Sequence, residues 1–398
     1  MHGRLNHKSG PKLAFIFIVG EHQALHLAPV AAELAARAGD VTAYVADDAD
    51  ARAIRDIFAR LGAPHIPIRI MALPRWWRGI GIRPSKTLRL LGWSRELRAH
   101  DAIVTAERTT TRLQHLPGRM PPMIHIPHGA GDRAVGFEAR LRRFAHVIVA
   151  GPKDRRRMIA EGLVHPDRCS VSGYVKLAAV HKIAPKPPRN LGLDPSRPTI
   201  LYNPHCSATL GSWGRMGYDL VDRITADGRF NLILAPHVRL RERMDEADIQ
   251  AIEALAVPGR VLVDLGSARS CDMTYTRAAD LYLGDVSSQV YEYLATPRPC
   301  VFLDPARTAW SGNPDFSMWR YGAVARDIDE AMVELGRAGA RHASFLEAQE
   351  QGVADALGSS GAAAPRLAAL QLLAAIDALA IPTREELPDA TAVMVAAS

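Results

Sequence analysis

Two apolar patterns alternate along this chain. Short unbroken apolar runs read as strands covered on both faces, and runs with apolar residues three and four apart read as helices. Leu13 to Val19 (LAFIFIV) is the first strand, and an Ala/Leu-rich helix follows from about Leu25 to Ala38. Val41 to Val45 is the next strand and Ala51 to Leu61 the next helix. Ala102 to Thr105, Met123 to Ile126 and His146 to Ala150 read as strands, Lys153 to Glu161 as a helix, and Cys169 to Ser172 as a final strand. Strands alternating with helices predict a parallel, doubly wound α/β unit.

Residues 181–198 break the rhythm with five prolines and little apolar pattern, which predicts a linker. The alternation then restarts. Thr199 to Tyr202, Phe230 to Leu234, Val261 to Leu265, Leu281 to Leu283 and Cys300 to Leu303 read as strands, with helices at Tyr218 to Ile224 and Arg241 to Leu255. Ile328 to Ala380 reads as helical with a break at residues 358–365, and residues 381–398 are expected to be a frayed, disordered tail. The repeat predicts an α/β architecture of two Rossmann-like domains facing across a cleft, residues 1–182 and residues 183–380, the second carrying C-terminal helices. Ligands of such sheets bind outside the carboxyl ends of the strands.

Those strand ends carry the candidate chemistry. Leu281–Leu283 runs into Gly284-Asp285-Val286-Ser287-Ser288 and then a helix. Backbone N–H groups and two hydroxyls converge there, as an anion site requires. Asp285 and Glu292 flank the point and can hold ribose or reacting hydroxyls; the bland alternative is a serine that only caps the helix. Met123–Ile126 runs into Pro127-His128-Gly129-Ala130-Gly131-Asp132, where His128 is placed as a general base. Asp132 can orient it or bind a hydroxyl, and Arg133 can meet a phosphate. His205 and His237 end two strands of the second unit, and His237 with Arg239 can neutralise a phosphate. His22 and His26 are weaker candidates of the same type.

The 398 residues are 48% hydrophobic, enough for sizeable cores, and the net charge of +7 suits a phosphate-bearing partner or an anionic surface. Cys169, Cys206, Cys271 and Cys300 form no C-x-x-C pair, and the histidine spacings match no zinc signature, so reduced thiols and no metal or other cofactor are expected. Gly-x-Gly-x-x-Gly is absent after the first strand and there is no Walker lysine, which disfavours nicotinamide and P-loop chemistry. No nucleic-acid motif accompanies the charge. The polar start is no signal peptide, and no apolar run approaches the ~20 residues of a membrane span. A cytoplasmic protein follows, at most peripheral on the inner face of a membrane. Residues 74–98 hold Arg75, Trp76, Trp77 and Arg78 in a basic, tryptophan-bearing stretch. It reads as an anionic membrane interface, a basic acceptor groove, or a helical face with tryptophans tucked into the core.

Taken together, these motifs resemble the CDP-glycerol glycerophosphotransferase family, over roughly residues 120–320. His128-Gly129-Ala130 is similar to the family's first histidine motif and Pro236-His237 to its second, with proline and histidine exchanged. Asp285-Val286-Ser287-Ser288 resembles its Asp-Tyr-Ser-Ser motif, with valine for tyrosine. The resemblance implies a GT-B-like fold, with residues 1–182 as the acceptor domain and 183–380 as the nucleotide-donor domain, and transfer of glycerophosphate, or a related polyol phosphate, from a CDP-linked donor to a hydroxyl of a lipid-linked or glycan acceptor, with CMP leaving. It implies His128 as base, His237 as phosphate stabiliser, and Ser287 and Ser288 as the donor-phosphate site. The same fold serves nucleotide-sugar glycosyltransferases and sugar epimerases, and a non-catalytic binder of nucleotides or anionic lipids is the alternative of another class.

Overall fold

A computed structural model of the chain describes residues 10–18, 21–37, 39–73, 85–186 and 190–380. Two parallel sheets dominate. The first has seven strands: β1 Lys12–Phe17, β2 Asp40–Val45, β3 Ile68–Ile70, β4 Ala102–Thr105, β5 Met123–His125, β6 His146–Val149 and β7 Cys169–Val171. Their order is β3-β2-β1-β4-β5-β6-β7. The second has six: β8 Thr199–Asn203, β9 Asn231–Leu234, β10 Val261–Val263, β11 Leu281–Gly284, β12 Cys300–Leu303 and β13 Ala323–Ala325, ordered β10-β9-β8-β11-β12-β13. Both repeat the doubly wound order, so each has a switch point, between β1 and β4 and between β8 and β11, where a crevice opens at the strand ends.

The apolar runs split by residue parity, because successive strand side chains point to opposite faces. Leu13, Phe15 and Phe17 pack with Leu27, Ile54 and Phe58 on one face of the first sheet. Ala14 and Ile16 pack with Leu90, Leu97 and Leu113 on the other. In the second sheet, Ile200 and Tyr202 share one core with Leu281 and Leu283, while Leu201 and Tyr282 share the opposite one. Both faces are covered, as parallel sheets require.

Several expectations are corrected. The edge strands β3 and β13 are additional; each has only three residues. The helix Val175–Ile183 carries into the proline-rich segment. The stretch expected as one helix from Arg241 begins as a short turn of 3₁₀ helix, Arg241–Arg243. The helix proper is Glu246–Glu253, started by an Asp245–Asp248 capping box. Leu346–Leu379 is apolar enough by length and composition to count as a candidate membrane span, contrary to expectation. It is two helices, Leu346–Leu357 and Ala364–Ala380, separated at Gly358. The second returns to the first sheet's helical layer and buries Ala368, Ala369 and Leu372 in that core.

Candidate active site in the interdomain cleft

The strand-end loops of both sheets line a cavity of ≈ 770 Å³ between the two units. Five cationic side chains (Lys86, Arg108, Arg140, Lys176 and Arg239) face three carboxylates (Glu107, Glu242 and Glu292) around it, so an anionic ligand is favoured.

At the first sheet's switch point, Gln23 follows β1 and Glu107 follows β4. Gln23 is fully enclosed, and its Nε2 donates to Glu107 Oε1 at 3.0 Å and lies 3.2 Å from His128 Nδ1. Glu107 is held in turn by Lys86 Nζ at 3.5 Å and by the Thr109 hydroxyl at 3.4 Å. His128 lies early in the loop that follows β5 and is exposed to the cavity. It sits deep enough between the units that the surrounding protein lowers its pKa; the Glu107 charge and a backbone hydrogen bond at Ala106 oppose that. A neutral imidazole at neutral pH, with a carboxylate close enough to favour its protonated form, is the condition of a general base.

The opposite wall comes from the second unit. His237 lines the cavity, accepts from the Arg239 N–H at 3.2 Å, and stacks edge-on against His205 with ring centres 5.0 Å apart. Burial, then neighbouring charge (Arg239 for His237, His237 for His205), pushes the two pKa values down to about 4 and about 3. Both rings are therefore neutral near pH 7 and act through hydrogen bonds rather than charge. His205 sits behind His237, with Arg133 Nη1 reaching across from the first unit to 3.2 Å of its Nδ1.

The serine pair divides. Ser288 lines the cavity and makes no capping bond with its side chain. Ser287 is fully enclosed, and its Oγ accepts from the Gln289 N–H at 3.4 Å. The helix it opens, Gln289–Leu294, has only six residues, so its dipole is short. The two glycines after His128 are fixed by this serine: a Cβ at Gly131 would meet Ser288 Cβ at 3.0 Å, and one at Gly129 would meet Ser288 Oγ at 3.2 Å. Gly129 also has φ +79°, a conformation only glycine adopts readily.

Two carboxylates expected in the site have other partners. Asp285, at the second switch point, is enclosed and accepts from the backbone N–H groups of His205 (3.0 Å), Ser212 (2.7 Å) and Val286 (2.6 Å) and from the Ser212 hydroxyl (2.9 Å). With those acceptor positions occupied, it clamps the β8 loop, and it is not among the residues that line the cavity. Asp132 accepts from Tyr291 OH at 2.7 Å, Lys153 Nζ at 2.6 Å and the Met318 N–H at 3.0 Å. It ties the two units together, and the contact to the His128 ring comes from Gln23 instead. Glu292 does line the cavity; its Oε1 accepts from Lys176 Nζ at 2.7 Å and Tyr174 OH at 2.6 Å.

Gln23, Glu107 and Lys176 are site residues the sequence reading did not single out. Only Glu107, at the end of a predicted strand, carried a local signal. His26 is enclosed and packs edge-on against Tyr174 at 5.3 Å; the His22 side chain lies outside the described residues, as do Arg75, Trp76, Trp77 and Arg78. In the described end of the 74–98 stretch, Lys86 reaches the cavity and two other side chains are structural. Trp93 Nε1 donates to Ala72 O at 3.0 Å, and Arg89 Nη1 donates to Met71 O at 2.9 Å. Among the described residues, no group of three or more His, Cys, Asp or Glu is arranged to hold a metal ion.

No family model matches the chain, and no curated protein resembles it in sequence. Solved structures do resemble it. The UDP-GlcNAc 2-epimerase of Methanocaldococcus jannaschii, in complex with UDP-GlcNAc and UDP, superposes with a TM-score of 0.62 at 14% identity, covering 91% of this chain and 99% of the other. The Neisseria meningitidis UDP-GlcNAc 2-epimerase bound to UDP-GlcNAc gives 0.55 at 12%, over 91% and 100%. The wall teichoic acid polymerase TagF, in a variant soaked with CDPG, gives 0.62 at 11%, over 93% and 90%. The chain has the GT-B-like fold these share, two Rossmann-like units facing each other.

Proposed function

We propose that this protein is an enzyme acting on a nucleotide-linked donor in the interdomain cleft, and that it transfers glycerophosphate or a related polyol phosphate to a hydroxyl. The acceptor hydroxyl loses its proton to His128 as its oxygen bonds the donor's β-phosphorus; the phosphoanhydride bond breaks and CMP leaves. Ser288 and Arg239 hold the donor phosphates, and His237 donates to the transferred group. Gln23, which also donates to Glu107, holds the His128 ring at Nδ1, and the nearby Glu107 charge favours the imidazolium that forms. The observation that carries this reading is the placement of a neutral His128 opposite Ser288 and His237 on one polar, net cationic cavity. Likeness to TagF in its CDPG-soaked form supports the donor class.

A second reading, a nucleotide-sugar enzyme, is favoured by the likeness to epimerases seen with UDP-GlcNAc and by the carboxylate beside His128, which suits proton removal from carbon as well as from oxygen. Melting temperatures with CDP-glycerol, CDP-ribitol, UDP-GlcNAc, CMP and UDP separate the two. The first reading expects the CDP-linked donors to stabilise most. A shift with UDP-GlcNAc alone supports the second, and no shift with any nucleotide removes both.

A further inference from the structure

The His128 loop is fastened to both units at once. Within its own unit, Lys153 Nζ donates to Ala130 O at 3.1 Å and Arg157 donates to the Asp132 carbonyl. From the second unit, Tyr291 OH reaches both carboxylate oxygens of Asp132 at 2.9 and 2.7 Å, and the Met318 N–H reaches one at 3.0 Å. Tyr291 and Asp132 are enclosed, at 0% and 2% exposure, so this is no surface contact. Tyr291 lies on the turn of helix that begins just after Ser288 and carries Glu292. Four residues from His128 on one strand end, and three from Ser288 on the other, this hydrogen-bonded pair joins the two cavity walls. The glycines at 129 and 131 let Ser288 seat directly on the loop between them.

We infer that Asp132 and Tyr291 form an interdomain latch, a pair of positioning residues that holds the His128 loop against Ser288 and whose engagement sets the rate of the reaction at this cleft. The inference rests on the functional reading above for its kinetic half and on geometry alone for the rest. Tyr291→Phe removes the hydroxyl and leaves Asp132 its bonds to Lys153 and Met318. Asp132→Asn keeps one oxygen for Tyr291 and Met318, but its amide nitrogen then faces Lys153 Nζ in place of the carboxylate oxygen that accepts from it.

The test measures backbone amide exchange and steady-state kinetics on the full chain. In Tyr291→Phe, amides of residues 128–133 and 286–294 should exchange at least tenfold faster together, while β1 and β8 are unchanged. Turnover with the donor should fall tenfold to a hundredfold with KM for the donor within threefold, and Asp132→Asn should lose at least as much. Unchanged exchange in both segments would overturn the latch, as would exchange rising in only one. With exchange as expected, turnover within twofold of wild type, or donor KM rising in step with the loss, would overturn its positioning role. A wild type that processes no nucleotide-linked donor would end the functional reading, and exchange alone would then decide the latch.

Discussion

His125 should make the first unit sensitive to acid. It is the last residue of β5, three positions before His128, and only 3% of it is exposed. Its ring stacks on Phe144 with centres 4.6 Å apart, and its Nδ1 donates to the Thr105 carbonyl at 3.0 Å, which fixes the neutral tautomer. Burial pushes its pKa down to about 3, the Thr105 bond acting against it. In the unfolded chain the ring titrates near the ordinary ~6.5. Between those values the unfolded state holds one more proton, so stability rises with pH across the window and is lost as pH falls from about 6.5 towards 3. At about pH 5 the loss from this one group is about 2 kcal/mol relative to about pH 7.5, from ~1.4 kcal/mol per pH unit. His125→Leu removes the titration while Thr105 O keeps the Ile126 N–H at 3.1 Å. Urea unfolding of both proteins at the two pH values, followed by exchange of the β4 and β5 amides, isolates the first unit from the second. The wild type should lose about 2 kcal/mol more than the variant on acidification. Equal losses in both proteins would refute the reasoning.

The enclosed Lys176–Glu292 pair crosses between the units, so Lys176→Met should cost about 3–5 kcal/mol by stranding a carboxylate, and Lys176→Met with Glu292→Leu should cost less than the single change in chemical denaturation. Ser288→Ala should weaken nucleotide binding by about 1–3 kcal/mol in calorimetry. Ser287→Ala should leave affinity intact and lower stability by about 1 kcal/mol, because its hydroxyl serves the helix start. Flotation with anionic vesicles tests the basic stretch: each exposed cation contributes about 1 kcal/mol, so Arg75→Glu with Arg78→Glu should abolish a low-salt attachment, and wild type remaining unbound at low salt would exclude it.

The architecture was legible because strands of a parallel sheet announce themselves as apolar runs. Leu13 to Val19 and Leu281 to Leu283 needed nothing beyond composition and length. The strands that escaped, β3 and β13, are three-residue edges whose pairing is decided by a neighbour, not by their own residues. Placing His128, His237 and Ser288 at strand ends followed from the same runs, and those three do line one cavity. The polar network was much less legible. The partners that hold Asp285, at 205 and 212, are far away in sequence, so the sequence could not show that its acceptor positions are occupied. Asp132 looked like a partner of His128 because the two are only four residues apart, whereas Tyr291 and Met318, which hold it, lie far along the chain. Gln23 and Lys176 have no signature at all, since each matters only through a contact made across the fold.

The central claim is that His128 removes the acceptor's proton while a CDP-linked polyol phosphate is transferred. It is tested most directly by incubating CDP-glycerol and a polyol-phosphate acceptor with wild type and with His128→Ala, following released nucleotide and the phosphodiester product by chromatography and mass. The account predicts CMP release matched mole for mole by transfer in wild type. It also predicts a rate lower by about 10²–10⁴-fold in the variant, with nucleotide affinity retained. Full activity in His128→Ala, or release of the nucleoside diphosphate in place of CMP, would contradict it.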